Sequence, residues 1–122
     1  MVHVVIVDDE EIIRDLVEQI VTILDWTYDS ATNGAQALQI IQRVMPDLVI
    51  SDVEMPVMSG IELLIAMKED PSLSHIPVVI MSSIEREAEA REAGCAAFIA
   101  KPFTLEAMLQ LLPQVAPRED SE

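Results

Sequence analysis

The sequence predicts an α/β fold: a five-stranded parallel sheet, doubly wound, with helices on both faces. Three observations predict it. Short apolar runs alternate with longer helical patterns five times, which is how parallel strands joined by helical crossovers read in a sequence. Three of the runs are nearly continuous in Val, Ile and Leu, as strands covered on both faces require. Between the runs, apolar residues return at helical spacing.

The first strand is Val4 to Val7, and it closes on Asp8 and Asp9. From Glu11 to Asp25, Ile12, Ile13, Leu16, Val17, Ile20, Val21, Ile23 and Leu24 fall within one half-circle at about 100° per residue, with the polar residues opposite. That half-circle either packs wholly into the core or leaves Ile12 or Ile13 free beside the acids, where a histidine-bearing helix could dock. Trp26 and Tyr28 mark the turn into a weaker strand, Tyr28 to Ala31, followed by a helix from Gly34 to Val44. The third strand, Leu48 to Ser51, ends on Asp52, and a helix from Gly60 to Glu69 precedes Pro71.

Val78 to Met81 forms the fourth strand, closing on Ser82 and Ser83. The next helix, "IEREAEAREAG", has few large apolar residues, so it is expected to be the most loosely held; Gly94 suits its left-handed cap. Ala97 to Ala100 is the last strand, followed by Lys101 and a helix from Leu105 that is expected to stop at Pro113. Leu105, Met108, Leu109, Leu111 and Leu112 span an arc wider than one buried stripe needs. Either the helix is fully buried or part of the arc serves a homodimer or docking face.

The 122 residues make one domain, 1–116, with an acidic flexible tail at 117–122. No apolar stretch approaches the roughly eighteen residues of a membrane span, so a soluble, cytoplasmic protein is expected. The formal charge of -15 argues against direct binding to nucleic acid, whose phosphates need a basic face. Cys95 has no partner for a disulfide and reads as a small packing residue; His3 and His75 read as structural.

Composition does not explain why core strands end on acids. In a parallel sheet the ends carrying Asp8, Asp9, Asp52, Ser82, Ser83 and Lys101 share one edge, where ligands of doubly wound sheets bind. Carboxylates about 5 Å apart repel by roughly 3 kcal/mol per pair at an effective dielectric near 20. Positive charge belongs among them, from Lys101 and from a hard divalent cation, magnesium or manganese, which oxygen-only ligands suit. Three acids, a hydroxyl and a lysine without a Gly-rich loop suggest phosphoryl transfer to a carboxylate.

"VDDEE", "LVISDVEMPVMSG", "IPVVIMSS" and "FIAKPF", in this order and spacing, resemble the receiver domain of bacterial two-component response regulators over about residues 2 to 115. The resemblance implies a flavodoxin-like sheet and a signalling switch rather than an enzyme acting on external substrates. By that resemblance Asp52 accepts a phosphoryl group from a histidine kinase or histidine phosphotransfer protein. Asp9 binds magnesium directly, Asp8 assists, usually through water, and Glu54 contributes its backbone carbonyl. Ser82 is the switch hydroxyl, Lys101 contacts a phosphoryl oxygen, and Pro102 follows a cis bond. Ser83 stands where Ala is frequent, leaving two serines as candidates, and the distance to "KPF" favours Ser82. Phe98 occupies the switch-aromatic position, where Tyr is common, so it can pack inward but offers no hydroxyl. The implied partners are the phosphodonor and a downstream protein target.

Two other readings compete. An aspartate-nucleophile phosphohydrolase would place Asp-x-Asp on the first strand, whereas here the acids are adjacent and the nucleophile is on the third. A receiver-like protein working without phosphorylation would not need all the expected site residues.

Overall fold

The computed structural model describes residues 1–117; all of the expected acidic tail but its first residue, Pro117, lies outside the described residues. Strands β1 (His3–Val7), β2 (Thr27–Ala31), β3 (Leu48–Asp52), β4 (Val78–Ser82) and β5 (Ala97–Ala100) alternate with helices α1 (Glu11–Ile23), α2 (Gly34–Val44), α3 (Gly60–Glu69), α4 (Glu87–Glu92) and α5 (Leu105–Val115). All strand pairs are parallel, in the order β2-β1-β3-β4-β5. The winding therefore reverses between β1 and β3. The expected flavodoxin-like arrangement is what the chain adopts.

Residues alternate across each central strand with a period of two, and two cores result. Val5, Val7, Val49, Val78 and Ile80 face α2, α3 and α4, meeting Ala37, Ile41, Leu63, Leu64, Met67 and Ala90. Val4, Ile6, Leu48, Ile50, Val79 and Met81 face α1 and α5, meeting Val17, Ile20, Val21, Met108 and Leu112. Strands β3 and β4 are buried along their whole length, which is why they read as continuous apolar runs.

Capping fixes several helix boundaries. Asn33 accepts the Gln36 amide at the start of α2, Ser59 and Glu62 form a capping box on α3, and Thr104 caps α5. Helix α1 ends two residues before the expected Asp25. Asp25 takes φ 64°, and the Asp25 and Trp26 amides donate to Thr22 and Val21 carbonyls, closing a Schellman turn. Gly94 (φ 101°) closes α4 in the same way, with Gly94 and Cys95 donating to Arg91 and Ala90.

Two expectations need correction. The segment read as one fourth helix opens as a 3-10 turn, Ile84–Arg86, before α4 begins. Helix α5 does not stop at Pro113 but runs to Val115. Proline removes one amide donor, yet Val115 and Ala116 still pack on the α1/α5 core and the Ala116 amide bonds to Leu112. Apolar burial offsets one lost hydrogen bond at a helix end. Of the α1 half-circle, Val17, Ile20 and Val21 are buried and Ile13 is partly buried, but Ile12 is 81% exposed, so a core-only role fails for Ile12.

The start of α3 abuts the end of β3. A Cβ on Gly60 would lie 1.9 Å from the Asp52 carbonyl oxygen, a backbone atom with nowhere to move. Gly60→Ala is expected to lower stability by about 3 kcal/mol, read as a reduced midpoint in urea unfolding. An unchanged midpoint would show that α3 is not held against the β3 end.

Candidate functional site

The register assembles the site. Val7 pairs with Ser51, so the next step along both strands sets Asp8 beside Asp52; Asp52 pairs with Met81, and Ser82 with Ala100, one residue before Lys101. One ligand oxygen from each of Asp8, Asp9 and Asp52 lies within 4.8 Å of the others. Asp8 is fully buried and Asp52 is 7% exposed, while Asp9 faces solvent.

Hydrogen bonds hold these acids in place. Asp8 Oδ1 accepts the Glu10 amide at 2.8 Å, and Asp52 Oδ1 accepts the Val53 amide at 2.7 Å. The remaining oxygens share one ammonium: Lys101 Nζ is 3.1 Å from Asp8 Oδ2 and 3.3 Å from Asp52 Oδ2, with Glu10 Oε1 at 3.8 Å. No buried side-chain nitrogen or oxygen among the described residues is left without a partner. The Lys101-Pro102 bond is cis, as the resemblance implied.

One lysine cannot satisfy three acids. Burial, aided by the neighbouring Asp8 charge, pushes the Asp52 carboxyl above its ordinary value against the opposing pull of Lys101. Burial acts to lower the Lys101 ammonium, but Asp52 and Asp8 outweigh it and the net shift is upward. The cluster thus carries excess negative charge in a partly dry place. An all-oxygen donor set with that excess fits a hard divalent cation.

Asp9, Glu10, Asp52, Glu54, Ser82, Ser83 and Lys101 line one open cavity at this edge. The structure brings together every residue singled out from the sequence except Phe98. Ser82 is 3% exposed whereas Ser83 is exposed, and the Lys101 amide donates to the Ser82 carbonyl at 2.8 Å. Phe98 sits on β5 beside Ile80, partly buried against the α2/α3/α4 core. The Glu54 side chain turns to Arg86, with Nη2 at 2.6 Å from Oε2.

Sequence reasoning missed Arg86 and the approach of Glu10. Arg86 lies 32 residues from Glu54, and no local pattern couples them. Glu10 was visible only as one more acid in "VDDEE".

The sequence model of the response regulator receiver domain matches residues 4–113. The chain belongs to that family. The receiver domain is 30% identical over 112 residues to the polar-differentiation response regulator DivK of Brucella anthropi, covering 89% of this chain and 91% of that protein. It is 42% identical over 108 residues to a protein-glutamate methylesterase/protein-glutamine glutaminase of Treponema denticola, covering 83% of this chain. The match spans 28% of that methylesterase, and 8% of histidine kinase P4 of Formosa agariphila, a further relative at 39% identity. Among solved structures, the chemotaxis protein CheY4 of Vibrio cholerae superposes with a TM-score of 0.86 at 31% identity over 94% of this chain and 98% of that one. A receiver domain is a regulatory unit, and the fold and acidic cluster seen here are those of such a unit.

The raised pKa of Asp52 makes its charge unfavourable to folding. The favourable contribution is present below the ordinary carboxyl value of 3.8 and is lost as pH rises through the folded value. Without metal, Asp52→Asn is therefore expected to melt a few degrees higher than the parent at pH 7, as about 1 kcal/mol would give, with the gap closing towards pH 4. A gap that is absent at pH 7 or that widens in acid would show that Asp52 is not strained by its surroundings.

Proposed function

We propose that this domain is a phosphorylation-activated switch in which Asp52 accepts a phosphoryl group from a histidine kinase or histidine phosphotransfer protein. The observation that carries this is a buried carboxylate at a strand end, flanked by two acids and a lysine and open to solvent through one cavity. An oxygen of Asp52 attacks phosphorus in line as the bond to the donor nitrogen breaks, and the donor imidazole leaves. The Val53 amide fixes the orientation of the carboxylate. Lys101, already between Asp8 and Asp52, is placed to take up a phosphoryl oxygen. A magnesium or manganese ion held by Asp8, Asp9, Asp52 and the Glu54 carbonyl would supply two further positive charges against the phosphoryl oxygens. The domain catalyses only its own phosphorylation and dephosphorylation in this reading.

Phosphorylation replaces one negative charge with nearly two and adds acceptor oxygens. The buried Ser82 hydroxyl is the group that turns to them, supported by its position at the β4 end. Its displacement frees room towards Phe98 and shifts the anchoring of α4, in which only Ala90 is buried. Such a shift signals only if a partner prefers one arrangement. Ile84 at 62% exposure, Leu105 at 44% and the partly exposed residues of β5 support a face there for a downstream protein or a second copy. The phosphodonor side is supported by Ile12, 81% exposed beside the acids, and Val57, 83% exposed on the loop after Asp52. A cytoplasmic setting goes with this reading. Among the described residues no helix is long and apolar enough to cross a membrane.

Incubation with acetyl phosphate and magnesium is expected to add one phosphoryl group, acid-stable and base-labile, by intact mass and peptide mapping to Asp52. Asp52→Asn should remove the adduct, and Lys101→Ala should slow its formation at least tenfold, the cost of losing a charge-assisted contact of about 1.4 kcal/mol or more. Rapid turnover of an external phosphate ester would favour a phosphohydrolase instead. No adduct with any donor would overturn the proposal.

A further inference from the structure

Among the carboxylates that line the cavity, the Glu54 side chain is one that phosphoryl transfer does not use. Arg86 reaches it from the adjoining groove that Glu54 also lines: its Nε and Nη2 donate to Glu54 Oε2 at 3.1 and 2.6 Å, while Nη1 donates to Glu89 Oε1 at 3.1 Å. Arg86 comes from the 3-10 turn directly after Ser82 and Ser83, so the pair bridges the two loops that flank the phosphoacceptor.

Two roles fit such a bridge, a mechanical tie between the loops or a counter-charge for Glu54. The two side chains are 39% and 65% exposed, and ion pairs this open contribute little to holding elements together. Counter-charge needs no rigid geometry; it needs only that Arg86 stay near. The charge is also placed where it counts, because an incoming phosphoryl group carrying about two negative charges must pass Asp9, Glu10 and Asp52. An uncompensated Glu54 lining the same cavity would attract cations and repel that donor, the more so at low salt where screening is weak.

We propose that Arg86 is a positioning residue that holds the Glu54 carboxylate aside and cancels its charge, thereby setting both the cation affinity of the site and its openness to anionic phosphoryl donors. The second half rests on the assignment of Asp52 as phosphoacceptor, and the first half does not.

The test compares the parent with Arg86→Gln, Glu54→Gln, the double variant and Arg91→Gln, whose residue pairs with Glu87 rather than with Glu54. Two quantities are read at low salt: the magnesium dissociation constant by calorimetry, and the initial rate of phosphorylation by acetyl phosphate at saturating magnesium. Arg86→Gln is expected to bind magnesium about three- to tenfold more tightly and to be phosphorylated more slowly by a similar factor. Glu54→Gln should move both in the opposite direction, the double variant should fall between the singles, and Arg91→Gln should change neither. The differences should shrink in about 0.5 M salt. Single variants that move together would establish a mechanical tie and overturn the proposal, as would an Arg91→Gln effect equal to that of Arg86→Gln. A parent that takes up no phosphoryl group would remove the Asp52 assignment, while the magnesium comparison would still decide the role of Arg86.

Discussion

The structure turns on negative charge placed where it repels. Three aspartates from two strand ends come within 4.8 Å, and the lysine after β5 lies between two of them. A folding sequence gains nothing from such a cluster, because each unneutralised pair costs stability. The cost is borne by the two cores, whose central strands are buried throughout. What the arrangement provides is a carboxylate fixed by a backbone amide, open on one side, with a standing deficit of positive charge. That deficit is one that a hard cation would relieve.

The surrounding elements divide into rigid and loose parts. Helix α3 is locked against the β3 end through Gly60 and a capping box, and α1 and α5 pack over the other face of the sheet. Helix α4 has six residues, one of them buried, and begins through a 3-10 turn. Rearrangement following a change at Asp52 therefore has an obvious place to go, since segments with little buried apolar area open at low cost. Between Pro56 and Met58 the chain makes a tight turn, with Val57 at φ 71° and the Met58 amide bonded to the Pro56 carbonyl at 2.7 Å. A β-branched residue is strained there, and this strain sits on the loop that follows Asp52.

Much of this was legible in the sequence, for particular reasons. Strands β1, β3 and β4 show as continuous apolar runs because both of their faces are covered, and β2 reads weakly because "TYDSA" is an edge strand with Thr27 and Tyr28 exposed. Parallel topology turns strand ends into neighbours, so Asp8, Asp9, Asp52, Ser82 and Lys101 could be grouped without coordinates. The end of α5 was misplaced because the rule for proline is local, whereas the packing of Val115 and Ala116 is not. The Arg86–Glu54 pair was invisible because both residues are ordinary exposed charges in sequence, and only the meeting of two loops gives them a role. Whether Ile12 joins the core stays open in the sequence because helical periodicity reports the direction of a side chain, not how far the sheet extends beneath it.

The central claim is that Asp8, Asp9 and Asp52 act together as one cation-holding centre around the nucleophile. Titration of the isotope-labelled domain with manganese, followed by amide resonance broadening, tests it directly, since a paramagnetic ion bleaches its neighbours alone. One ion per chain is expected to broaden residues 8–10, 52–54, 82–83 and 101 together, at concentrations that leave the rest of the spectrum sharp. Broadening scattered over the many exposed acids, with these residues no more affected than the others, would contradict it.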